Sequence, residues 1–88
     1  MNSKAKGEFL KKISVNGFSI EDNGIRITLR PRGSESIAEI TIEDDGANGW
    51  RVVSASGSYA GFARGSKRSY FETYINQWAA EAILLVAE

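Results

Sequence analysis

Apolar and polar positions along this chain repeat with two different periods, and the switch between them marks out the elements. Near the start, Phe9, Leu10 and Ile13 share one side of a 3.6-residue repeat while Lys4, Lys6, Lys11 and Lys12 fall outside it. This predicts a short amphipathic helix within residues 1–14, capped by Ser3 and weakened by Gly7. Phe18, Ile20, Ile25, Ile27 and Leu29 then follow the two-residue repeat of strands, on either side of Asn23-Gly24. An Asn-Gly pair in that place predicts a type I′ hairpin, whose two loop residues both need positive φ. The two-residue loop sets Glu21 opposite Arg26, Ile20 opposite Ile27 and Phe18 opposite Leu29, and Pro31 and Gly33 end the second strand.

Ala38, Ile40 and Ile42 alternate with Glu39, Thr41 and Glu43, and the alternation resumes at Trp50, Val52 and Ser54 after a polar loop over 44–48. The expected register pairs Ile42 with Trp50 and Ile40 with Val52. Residues 54–66, rich in Ser, Gly and Ala, read as a bent fourth strand or an irregular connection. Ser69-x-x-Glu72 has the spacing of a capping box, and behind it Phe71, Tyr74, Ile75, Trp78, Ala79, Ala82, Leu85 and Val86 recur at helical intervals. That predicts a long helix over 69–88 with Trp78 buried at its centre. Trp50, Phe71 and Tyr74 are placed in the core with it. The apolar strand face needs a cover, which this helix supplies. The expected fold is α+β in a single domain, 1–88. It comprises an antiparallel meander of three to four strands over 15–64, a long C-terminal helix packed across one face, and a short N-terminal helix.

Composition narrows the chemistry. The 88 residues include no cysteine and no histidine, so disulfides, thiolate metal sites and Ser-His or Cys-His nucleophiles have no side chains to form them. Asp44, Gly46, Asn48 and Gly49 have the residue types of a calcium loop. The position eleven residues after Asp44, where a bidentate glutamate is needed, is Ala55. No catalytic residues, metal or cofactor are therefore expected. Eleven Lys and Arg balance eleven Asp and Glu, so any attraction to an anion is local. The apolar run over 82–87 is too short to span a bilayer and residues 1–13 lack a signal-peptide core, which gives the expectation of a cytoplasmic protein with no membrane contact.

Three surfaces remain as binding candidates. The first is the Gly-rich stretch before the last helix, where Tyr59, Phe62, Arg64, Lys67 and Arg68 collect beside a helix N-terminus whose amides favour anions. The order helix, three strands, helix, with Gly65-Ser66-Lys67-Arg68 entering the last helix and Ala79-Ala80-Glu81-Ala82 within it, resembles the double-stranded-RNA-binding domains. The resemblance implies that Lys67 and Arg68 grip phosphates. The chain departs from that pattern in its long connection after the third strand, its late Ala-rich stretch and its balanced charge. The second surface is the outward strand face with Arg26, Arg30 and Arg51, which carries no aromatic for stacking bases and is suited to an electrostatically matched protein. The third is the back of the last helix, where Ala80, Ile83, Leu84 and Ala87 predict contact with a partner or a homodimer. These features point to a non-catalytic binding protein acting by protein–protein contact, similar in size and style to accessory and inhibitor proteins of phages and mobile elements. The alternative is a nucleic-acid-binding module that uses the basic loop.

Overall fold

The computed structural model describes residues 1–33 and 37–87. Helix α1 (Ser3–Val15) leads into strands β1 (Phe18–Asp22), β2 (Arg26–Pro31), β3 (Ala38–Asp44) and β4 (Trp50–Gly57). Helix α2 (Gly65–Val86) follows, and short 3₁₀ turns at Gly46–Asn48 and Ala60–Ala63 flank β4. The strands form one antiparallel sheet in chain order, which makes the fold the expected α+β meander with two helices on it.

The first hairpin keeps the expected faces in a different register. Phe18 lies opposite Pro31, Ile20 opposite Leu29 and Asp22 opposite Ile27, two residues from the predicted partners. An even shift leaves every side chain on its own face, so the apolar alternation cannot detect it. The turn is what moves it. Gly24 has φ 87° while Asn23 does not enter positive φ. The Asn23 N–H donates to the Arg26 carbonyl at 2.8 Å. Gly24 and Ile25 are therefore the loop, and only the first loop position needs glycine, as in a type II′ turn. Ile25, expected inward, stands at the tip and is 65% exposed. Glu21 meets Arg30 at 3.4 Å instead of Arg26, which pairs with Glu43 at 3.0 Å.

The second hairpin also departs from its predicted register. Trp50 lies opposite Asp44 and Val52 opposite Ile42, but Ser54 lies opposite Thr41, leaving Val53 as the extra residue of a β-bulge. The bulge turns Val53 outward and brings Ala55 opposite Ile40 on the core side. Ser54 to Gly57 prolong β4, and the chain then turns through Ala60–Ala63 without forming a further strand among the described residues.

The core is shared by three layers of side chains. Ala5, Phe9 and Ile13 of α1 and Phe71, Ile75, Ala79 and Ala82 of α2 bury themselves against Ile27, Leu29, Ile40, Ile42, Trp50 and Val52. The Phe9 and Trp50 rings lie 5.1 Å apart. Helix α1 thus supplies much of the cover that the sequence assigns to α2 alone. Its N-cap is Asn2, whose side chain accepts the Ala5 N–H at 2.8 Å, and not Ser3. Helix α2 starts at Gly65, so Ser69 and Glu72 sit inside the helix and do not form a capping box. Its buried stripe is narrower than predicted: Trp78 is half-buried, and Tyr74 and Leu85 are exposed.

Candidate functional site

The outer sheet face is neutralised within the chain. Arg30 reaches Glu39 at 2.9 Å as well as Glu21, Arg26 holds Glu43, and Arg51 lies 3.3 Å from Glu72. Between these pairs the Thr28 and Thr41 hydroxyls share a hydrogen bond of 3.2 Å. The three arginines singled out in the sequence are thus spread over three separate ion-pair groups and do not form one cationic patch. Exposed pairs of this kind contribute little to stability, and their effect here is to cancel local field.

At the β4 edge, side chains of α2 take the place of a fifth strand. The Trp50 N–H donates to Asn76 Oδ1 at 2.7 Å, and Asn76 Nδ2 donates back to the Trp50 carbonyl at 2.9 Å. One helical turn earlier, Glu72 Oε2 accepts the Val52 N–H at 2.8 Å and also meets Arg68 and Arg51. Burial opposes the charge on Glu72, but the Val52 amide and the two guanidiniums outweigh it and hold the carboxyl below its ordinary value. A carboxylate depressed in the folded state contributes stability that is fully present above its unfolded pKa and is lost as pH falls through the folded value. Glu72→Ala is expected to cost about 1–3 kcal/mol near neutral pH and to flatten the acid side of the stability profile. Thermal melts of both proteins between neutral and acidic pH check this. Parallel profiles would mean that Glu72 contributes no linkage.

The basic stretch is rearranged by the same contacts. Tyr59 and Phe62 turn inward, with ring centroids 6.2 Å from Phe18 and 5.6 Å from Phe71 respectively, so they extend the aromatic edge of the core. Arg68 is committed to Glu72 at 3.1 Å. Arg64 and Lys67 are exposed and, among the described residues, in no ion pair. Of the five residues the sequence brings together, two cations remain on the surface unpaired within that set.

The outer side of α2 is where the structure adds to the sequence. Between Ser69 and Ala87 the helix has only two charges, Glu72 turned to β4 and Glu81 held by Lys12 at 3.1 Å. The exposed positions Tyr70, Tyr74, Ala80, Ile83, Leu84 and Ala87 carry none, and Leu84 is 69% exposed. Tyr70 and Tyr74 stack edge to face at 4.9 Å, and the Tyr70 hydroxyl donates to that of Tyr74, which raises the Tyr70 pKa above its ordinary value. Trp78 continues this row. Tyr70 is absent from the sequence-based candidates, and Tyr74 and Trp78 are assigned there to the core. The signal that marks them is the missing charge on a solvent-facing helix, not the apolar period. A groove of about 230 Å³ between Met1, Gly49, Trp50, Asn76, Ala80 and Ile83 opens on the same helix.

These features define a small α+β domain with a four-stranded antiparallel sheet, one helix-buttressed edge and one helix face poor in charge. Comparison with protein-family models, curated proteins and solved structures finds no match to this chain. Among the described residues there is no cluster of three or more metal-ligating side chains, and no helix long and apolar enough to cross a membrane.

Proposed function

We propose that this chain is a non-catalytic binding protein that docks a protein partner through the outer side of α2. The observation that carries the reading is the exposed row Tyr70, Tyr74, Leu84 and Leu85 on one side of the helix, where the single charge, Glu81, is paired with Lys12, in a chain one quarter charged. Aromatic enrichment and charge depletion are what distinguish the centre of an interface from ordinary surface. The partner is a protein presenting an apolar, charge-poor patch. The absence of histidine and cysteine from the chain supports action by occupancy and not by chemistry.

The test is affinity purification from the native host, with and without nuclease, using the wild type and a Tyr74→Lys/Leu84→Lys variant of unchanged circular dichroism. A protein retained after nuclease and lost with the variant supports the reading, with affinity falling roughly 30-fold or more for hot-spot residues. Retention indifferent to the variant overturns it. Recovery of nucleic acid alone, abolished by Arg64→Ala/Lys67→Ala, would replace it with the nucleic-acid alternative.

A further inference from the structure

The two edges of the sheet are finished differently. On β4, the outward-pointing N–H and C=O of Trp50 and the N–H of Val52 are taken up by Asn76 and Glu72. On β1, the Gly17 carbonyl accepts from Arg32 and the Asn23 N–H donates to Arg26, so residues 17, 19, 21 and 23 address β2. The N–H and C=O groups of Phe18, Ile20 and Asp22 consequently point away from the sheet. No hydrogen bond among the described residues ends on them. Phe18 and Ile20 are also only half-buried against the core, which is therefore open along this edge. Natural edges are usually blunted by charge, proline or a covering element; on β1 the Lys6 ammonium guards only the turn end, 2.8 Å from Asp22 and donating to the Gly24 carbonyl, which leaves Phe18 and Ile20 as a template for another strand.

We infer that β1 pairs with β1 of a second copy, antiparallel about a two-fold axis at Ile20, to join two sheets into one. The outward groups lie at 18, 20 and 22, symmetric about Ile20, so the edge is complementary to itself. Ile20 exchanges both bonds with the partner's Ile20, and Phe18 pairs with the partner's Asp22 in reciprocal fashion. On the core side the row Ile40, Leu29, Ile20 continues into the partner's Ile20. On the outer side Glu21 comes opposite the partner's Ser19, and Ser19 lies opposite Arg30 within its own sheet. Each Glu21 thus shares a row with the other copy's Arg30, with only a serine between them, so the Glu21–Arg30–Glu39 groups of the two copies join into one alternating network, and this occurs twice. That charge match selects a second copy over an arbitrary extended peptide, which would satisfy the backbone alone. The charge-poor α2 face offers neither directional bonds nor charge matching.

The experiment is sedimentation over a dilution series, with amide hydrogen exchange read at Phe18, Ile20 and Asp22. The wild type is expected to dimerise at high concentration, with those three amides gaining protection as it does. Ile20→Pro removes one outward N–H and leaves the β2 ladder at Ser19 and Glu21 intact, and is expected to be monomeric. Should Ile20→Pro fail to fold, the exposed charges keep the test open. Glu21→Arg and Arg30→Glu alone each weaken the dimer by about ten-fold, and mixing the two variants restores it. A strictly monomeric wild type overturns the inference. So does a dimer that ignores all three substitutions and is lost with Leu84→Lys.

Discussion

Trp50→Ala is expected to lower stability by about 3–5 kcal/mol, and Trp78→Ala by distinctly less. Trp50 is the first residue of β4, 4% exposed, with its ring against Phe9 and its backbone clasped by Asn76. Removing the indole leaves a cavity bounded by α1, α2 and the sheet, and none of the three can close it without giving up other buried contacts. Trp78 lies at the margin of the α2 stripe, where truncation opens onto solvent instead of a void. Denaturant melts of the two variants decide the matter. A larger loss for Trp78→Ala would move the centre of the core from the sheet to the outer flank of α2.

The second large effect is at Gly57, where Ala is expected to cost about 2–4 kcal/mol by combining backbone strain with overpacking. Gly57 ends β4 with φ 63°, and a Cβ there would meet the Ile37 carbonyl group, its carbon at 2.8 Å, and the Ala38 Cα at 3.0 Å. These are backbone atoms of the neighbouring segment and cannot swing aside as a side chain would. Gly46 also has positive φ but opens on empty space, so Gly46→Ala is the control and carries only the conformational part of the cost. Equal melting temperatures for the two variants would show that the close approach of β4 to Ile37 is not a constraint on the fold.

Acidification and the two edges of the sheet connect these effects to binding. Glu72 and Asn76 lie one helical turn apart on α2 and close the β4 edge. Among the described residues no side chain takes up the outward N–H and C=O groups of Phe18, Ile20 and Asp22, so the two edges differ in what they can accept. The outer side of α2 is left poor in charge because Glu72 is turned to β4 and Glu81, still partly exposed, is paired with Lys12 of α1.

The class of the fold, the number of helices, the faces of the first three strands and of β4 as far as Val52, and the absence of cysteine and histidine chemistry were all legible along the chain. Those properties follow from local periodicity and residue type, and side-chain parity survives a register shift of two residues unchanged. Tertiary structure decided the register. The first hairpin turns on Gly24-Ile25 because only Gly24 adopts positive φ, and the second takes a bulge at Val53 that no alternation pattern encodes. It also decided which polar residues are free. Arg68 and Glu72 read as a phosphate contact and a helix cap along the chain, yet Arg68 is spent on Glu72, and Glu72 accepts from the Val52 amide and from Arg51, 20 and 21 positions away, at an edge that exists only once β4 and α2 pack. Likewise Tyr74, Trp78 and Leu85 fit a wide apolar stripe in sequence, but α1 shares the cover of the sheet and the core closes on Phe71, Ile75, Ala79 and Ala82, with Trp78 packed at its margin and Tyr74 and Leu85 exposed. Periodicity reports which side of an element is apolar; how much of that side is covered depends on the volume of what packs against it.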